Sequence, residues 1–298
     1  TGGTVDDDNG TDLTGVSALG ILAGGTVDLD TTIDSVAVVN SGTGGVNIAD
    51  TANGLNIITI TTSVGDITGV NATGGSVFLN AAGSNANADL DISSDVINSS
   101  GQITLNAGES ILLSANVTAF GSNGITFNAG QSTSTGAFTM SGAASITGEN
   151  GTIDINSDTD ATITEIDTVN GRVDITATNG NITVNAAAGG IVATGTSDFT
   201  LVAGADVDLN DALTTVNADV SITGTDVDLT SINAGTGDVT FTPATVGTAV
   251  NLGAATGSFD LTAAELGNVT AATVNIGRSD GTGDVNADTL DLSGETYD

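Results

Sequence analysis

Cysteine, histidine, lysine and tryptophan are absent from these 298 residues; there is one proline, Pro243, and the aromatics amount to seven phenylalanines and one tyrosine. Without cysteine there is no disulfide framework and no zinc or iron–sulfur site of the usual kind. Without histidine the chain lacks the usual general base near neutral pH, the Ser/His nucleophile pairs and the commonest transition-metal ligand. Arg172 and Arg278 are the only cations, set against 36 acids and a formal charge of −34. That balance argues against nucleic acid, which needs a positive footprint, and against anionic membrane surfaces. No apolar run is long enough for a transmembrane helix, and the first residues do not read as a signal peptide. The start at Thr1 rather than Met is read as a piece of something longer.

What is present points to strands and turns. There are 49 threonines, 27 asparagines, 42 glycines and 31 aspartates, but only five glutamates. Asp, Asn and Gly favour turns, Thr and the abundant Val and Ile favour strands, and the strong helix formers Lys, Glu and Arg are scarce. Gly-rich acidic chains often stay disordered. Against that stands a triplet, apolar–polar–apolar, that recurs from near Val27 to the C-terminus.

Examples are Val46-Asn47-Ile48, Ile103-Thr104-Leu105, Ile125-Thr126-Phe127, Ile153-Asp154-Ile155, Val173-Asp174-Ile175, Val207-Asp208-Leu209, Val227-Asp228-Leu229, Val239-Thr240-Phe241, Val250-Asn251-Leu252, Phe259-Asp260-Leu261, Val274-Asn275-Ile276 and Leu290-Asp291-Leu292. Period-2 alternation turns two apolar side chains inward and the middle one outward. Several triplets repeat at about 20 residues: Ile153 with Val173, Val207 with Val227, Val220 with Val239, Val239 with Phe259. A period of that size signals a repeat architecture. The expected fold is therefore all-β, an elongated parallel β-helix (β-solenoid) with turns of roughly 20 residues, two or three short strands to a turn. At roughly 4.8 Å per turn, about 14 turns would extend on the order of 65 Å. An all-β sandwich is the competing architecture. Residues 1–25 read as an irregular acidic segment or cap, and 26–298 as one continuous solenoid that stops in mid-pattern and belongs to a longer repeat protein.

The triplets VNI, VDL, ITL and VTF, the Gly/Asn/Ala turns between them, and the phrase TVNIGRSDGTGDVNADTLDLSGETYD at 273–298 resemble the β-strand-repeat regions of large secreted bacterial adhesins of the filamentous haemagglutinin-like kind. The resemblance is one of repeat style along nearly the whole chain. It implies a right-handed parallel β-helix in an extracellular or cell-surface fibre, self-associating into filaments or continuing in tandem, with a host, cell or matrix surface as partner. The secretion domain such proteins carry at their N-terminus is not recognisable here.

Outward aspartates one turn apart would stack at about 5 Å: Asp154 with Asp174, and Asp206 and Asp208 with Asp226 and Asp228. Stacked carboxylates repel unless cations intervene or a proton is retained. Calcium suits such oxygen donors, so these six residues are the candidate metal ligands, against a solvated acidic face with a diffuse ion cloud. GTGDV at 235–239 and 281–285 approaches calcium-binding nonapeptide repeats without their doubled glycines or strict period. Asp6 to Asp12 has calcium-like spacing but lacks the glycine and distal glutamate of an EF-hand.

No cofactor is required by this reading, and no catalytic constellation is present. Carbohydrate-active β-helix enzymes would need stacking aromatics and a cation at the sugar, whereas the two arginines lie in turns beside aspartates. An ice-binding solenoid would need a long uniform Thr file, and Thr183, Thr200 and Thr240 fit one only loosely. A ligand- or glycan-binding adhesin module is the alternative to a structural fibre, with a cleft expected at a long loop such as 128–137 or 80–89. The function expected is a non-catalytic structural or adhesive segment at a bacterial surface or in a biofilm matrix, stabilised or bridged by divalent cations.

Overall fold

A computed structural model describes residues 3–6, 13–51, 54–83, 87–186, 189–295 and 297. The acidic Asp6 to Asp12 loop falls almost entirely outside them. The chain divides into two compact units, Thr1–Thr159 and Asp160–Asp298. Each is a parallel β-solenoid of short strands, and the one helix among the described residues is Ala263–Leu266.

In the first unit equivalent strands of successive turns pair in parallel to give three ladders; the later turns carry three strands, whereas in the turn that begins at Val27 the single strand Ser35–Asn40 serves both the second and the third ladder. The first ladder runs through Val27–Thr32, Val46–Asp50, Val77–Ala81, Ile103–Ala107, Ile125–Asn128 and Ile153–Ser157. The second holds Gly54–Ile57, Asp89–Ile92, Ile111–Leu113 and Phe138–Met140. The third starts at Ala18–Ala23 and passes through Ser35–Asn40, Val70–Ala72, Val96–Asn98, Val117–Ala119 and Ile146–Gly148. The ladder thus reaches back into residues 1–25, where Ala18–Ala23 pairs along its whole length.

The second unit repeats the plan. Val173–Ala177, Phe199–Ala203, Val220–Gly224, Val239–Pro243 and Val274–Ile276 form its first ladder. In Val207–Thr214 and Val227–Asn233 the second- and third-ladder strands are fused, with a register shift between Leu209 and Ala212.

The alternation read from the triplets fixes which side chains fill the interior. Ile103, Leu105, Ile125, Phe127, Ile153 and Ile155 are fully buried, whereas Thr104, Thr126 and Asp154 between them face outward. Because the register is one-to-one, each inward residue stacks on its equivalent one turn away. Phe127 and Phe138 meet edge to face across the interior at 4.9 Å between ring centres.

Glycine is abundant because of the corners. At the corner between third and first ladders a Cβ on Gly101 would sit 1.7 Å from the Gly75 carbonyl oxygen, and Gly75 itself has φ +69°. Turns approach there too closely for any side chain. Buried Asn98 serves that same corner: its Nδ2 donates to the carbonyls of Gly75 and Gln102, and its Oδ1 accepts from the N–H groups of Ser100 and Gly101.

Four expectations are corrected. Turn length varies instead of holding near 20: equivalent strands in the first unit start 19 residues apart at Val27 and Val46, but 31 at Val46 and Val77, and in the second unit 35 at Val239 and Val274. The short turns are those with tight corners, and the long ones carry inserted segments. Val239 does not stack on Phe259. An extra strand, Val250–Gly253, intervenes and takes Phe259 as its partner. In that strand the expected outward residue, Asn251, is buried, its Nδ2 donating to the Phe259 carbonyl at 3.2 Å. Finally, Leu290-Asp291-Leu292 is not a strand, because Thr289 adopts φ 49° and breaks the extended run after Val285–Asp288.

Candidate functional site

The aspartates are placed by the residue that precedes each strand. Where a parallel ladder begins, the N–H of the first strand residue donates to a carbonyl of the next turn, and the N–H beside that carbonyl has no ladder acceptor. A carboxylate or amide on the lower turn supplies it. Val96 N–H donates to the Asn116 carbonyl at 2.9 Å while Asn116 N–H donates to the Asp95 carboxylate at 3.0 Å. The same reciprocal pair links Asp89 with Ser110, Asp160 with Asn181, Asp198 with Asp219, and Asp219 with Asp238. Asn116 passes the link on, accepting from Ser145, and Asn181 from Asp206. Glutamate can make a similar turn-to-turn link: Gly121 N–H donates to the Glu149 carboxylate at 2.7 Å.

In the second unit such a file ends in a shelf of carboxyl groups. Asp206 and Asp226 belong to the preceding-residue file, and Asp226 accepts the N–H of Asp260 at 3.0 Å. Beside it runs an outward file in strict register, Thr162, Thr183, Asp208 and Asp228. Glu265 closes the shelf from the short helix: its carboxylate accepts from the N–H and hydroxyl of Thr262 in a capping box, and from Leu229 N–H at 3.4 Å. Asp208 registers with Asp228, as the sequence suggested, and Asp206 and Asp226 immediately precede the paired Val207 and Val227.

The electrostatics follow. Partial burial, then Asp228 and Asp206, push the Asp208 carboxyl above its ordinary value. Asp226 is raised by burial, which outweighs the N–H groups of Asp260 and Val227 that hold it down. Asp228 is raised by burial, then by Glu265 and Asp260; Asp260 by burial, then by Asp226. Among the described residues no three acidic groups stand close enough to hold one metal ion. The shelf is a row of neighbouring carboxyl groups without a closed cage.

Asp154 and Asp174 lie in different units. In the first, Asp154 registers with Thr126; in the second, Asp174 registers with Thr200 and pairs with Arg172 at 2.7 Å. Arg278 pairs with Asp280 at 2.9 Å and also donates to the carbonyls of Pro243 and Ala244. Both cations are thus engaged by neighbouring aspartates, as their turn positions suggested.

Of the loops where a cleft was expected, 128–137 folds down on the preceding turn, with Gly130, Gln131 and Ser132 donating to carbonyls of Glu109, Ala107 and Gly108. Beside residues 87–91 there is a hollow of about 350 Å³ lined by Asp34, Asn56, Asp89 and Asp91, where burial and then Asp89 raise the Asp91 carboxyl. A larger one, about 480 Å³, lies under the long corner loops of the second unit, between Val246, Val250, Ile276, Arg278 and Val285.

The sequence reading missed the linking aspartates, treating them as turn formers. The available signal was positional: Asp, Asn or Ser immediately precedes Leu90, Val96, Ile111, Val117, Ile146, Ile182, Phe199, Val207, Val220, Val227 and Val239. No helix among the described residues is long and apolar enough to cross a membrane. No family model, curated protein or solved structure matches the chain.

Proposed function

We propose that this chain is a non-catalytic structural segment of an extracellular fibre, at a cell surface or in a matrix, whose acidic faces take up divalent cations such as calcium. The observation that carries this reading is the use made of the polar side chains. Aspartate and asparagine, the residues with the most chemical capacity here, bind one turn to the next: Asp95 to Asn116, Asp160 to Asn181, Asp198 to Asp219. A surface whose carboxylates hold the backbone together serves extension and stiffness. The secreted, adhesin-like setting rests on the repeat style of the sequence.

The cation part rests on the shelf. Four of its carboxyls are raised above their ordinary values by burial and by each other, and a divalent ion relieves such repulsion without forming a closed cage. Electron microscopy and light scattering of the purified protein, with millimolar calcium and with a chelator, test it. Filaments or lateral bundles that grow with calcium and loosen with chelator are expected. Scattering that calcium leaves unchanged, on particles that stay single, overturns the fibre-bridging role.

A second reading, a binding module, is favoured by the hollow of about 480 Å³ around Val246, Val250 and Val285. It predicts a saturable ligand, detectable by a glycan array or calorimetry, and loss of binding in Val250→Asp.

A further inference from the structure

Among the described residues, one segment breaks the parallel plan. Between the second-ladder strand Gly54–Ile57 and the third-ladder strand Val70–Ala72, the chain makes an antiparallel hairpin, Thr59–Thr62 with Gly65–Thr68. Its base is closed by Gly69 N–H donating to the Ile58 carbonyl, and its turn by the Thr62 hydroxyl donating to the Gly65 carbonyl at 2.7 Å. The hairpin lies against the outside of two earlier turns, on the third-ladder strands Ala18–Ala23 and Ser35–Asn40.

The contact is built from both sides. Ile60 and Ile67 are directly opposite in the hairpin, so they share a face. Under them Gly20 and Ala37 are register partners on the outer face of the ladder. A Cβ on Gly20 would lie 3.0 Å from Ile67 Cδ1, 3.3 Å from Thr62 Cγ2 and 3.5 Å from Ile60 Cγ2. The absent side chain is therefore the seat for the hairpin. Ile67 is 3% exposed and Ala37 is fully buried although both lie outside the solenoid interior. At the tip, Val64 is 76% exposed.

We propose that this hairpin is a strap that holds the first turns of the solenoid closed. A stack of parallel turns loosens by opening its end strands one at a time, because stability is local to neighbouring repeats. Among the described residues, Ala18–Ala23 is the first strand of the third ladder. The strap comes from the turn that contains Gly54–Ile57 and Val70–Ala72, and reaches back past Ser35–Asn40 to grip it. The first strand then cannot open without also undoing the Ile60–Ile67 contact, so opening that would involve one turn has to involve three. The seat needs residues no larger than Gly20 and Ala37, and the strap needs paired branched side chains.

Hydrogen exchange of the full chain, read by mass spectrometry, tests this with two variants that leave the interior untouched. Ile67→Ser weakens the strap and Gly20→Val fills its seat. In both, exchange across Ala18–Ala23 should accelerate by about tenfold or more, as expected when a buried branched side chain leaves its contact. Exchange at Val96–Asn98 and at Val220–Gly224 should stay at the wild-type rate. Cleavage at the Val64 tip by a protease should produce the same local acceleration in the wild-type chain. Unchanged exchange at Ala18–Ala23 in either variant makes the hairpin a surface decoration and overturns the proposal. A uniform acceleration over the whole chain overturns it as well, since a strap acts on the turns it covers.

Discussion

The backbone N–H of Asp238 donates to the Asp219 carboxylate at 2.8 Å, and the N–H of Asp219 donates in turn to Asp198 at 3.2 Å. Three like-charged residues are thus joined in a file by the backbone amides between them. Val220 and Phe199 complete each link, donating to the carbonyls of Asp238 and Asp219 at 2.9 Å. The Asp198 and Asp219 carboxylates need no basic partner, because each faces a fixed amide dipole, and hydrogen bonds from N–H to an ionised acceptor are the stronger kind.

Asp219→Ala should therefore destabilise the second unit by about 1 kcal/mol, below the range of about 1.5–3 kcal/mol for a bond to a charged group, since the site is solvent-exposed. Asp219→Asn keeps an oxygen in place and should cost less than half as much. Chemical denaturation followed by circular dichroism separates the two. Equal losses in both variants would mean that charge, and not acceptor geometry, holds the turns together.

A parallel file runs through amides in the first unit. Asn128 donates to Asn106 at 2.8 Å and accepts from Asn156 at 3.1 Å. Asn128→Ala removes both bonds and strands its neighbours' groups at a half-buried surface, for an expected loss of about 1–2 kcal/mol. Asn80 continues the same column in register with Asn106 but outside those two bonds, so Asn80→Ala should cost less. A thermal melt of each variant checks the order.

Much of this was legible because a β-solenoid is specified one strand at a time. The period-2 triplet at Ile153 to Ile155 names its own inward residues, and the 20-residue spacing of Val207 and Val227 names their partner. The reading failed where a corner loop lengthened. Phe259 stands 20 residues after Val239, yet the loop after Pro243 makes room for the strand Val250–Gly253, and spacing then points to the wrong ladder. It failed again at Thr59–Thr68, which has strand composition but none of the Asn-Gly signal of a tight hairpin. The linking aspartates were visible as residues but not as bonds, because their acceptors are needed only by a backbone amide one turn away, at a varying distance in sequence.

The interior offers a sharper test of the stacked core. Phe127 is fully buried, registers with Leu105 and Ile155, and meets Phe138 edge to face. Phe127→Ala should cost about 3–5 kcal/mol, while Phe127→Leu, which keeps most of the volume, should cost about 1.5 kcal/mol or less. In a solenoid whose turns depend on nearest neighbours, the damage should be local: hydrogen exchange should quicken first in Ile103–Ala107 and Ile153–Ser157.

The acidic shelf makes the response to pH unusual for a protein rich in carboxylates. Asp208, Asp226, Asp228 and Asp260 have folded-state values raised above 3.8, chiefly by burial. Such groups bind protons more tightly folded than unfolded, so ionising them costs stability, and that cost is fully present above the raised values. As pH falls through the range just above the ordinary carboxylate value the cost is relieved, and this part of the second unit gains stability. Asp280 and Asp291, lowered by hydrogen bonds from Arg278 and Ser293, act in the opposite sense and lose their contribution only at still more acid pH. The melting temperature of the wild-type chain should then rise on mild acidification from neutrality before acid denaturation sets in. Asp228→Asn removes the charge that faces Glu265 and Asp260. It should raise the melting temperature near neutral pH and flatten the rise on acidification. A variant that melts lower at neutral pH would show that the Asp228 carboxylate stabilises the shelf in its ionised form.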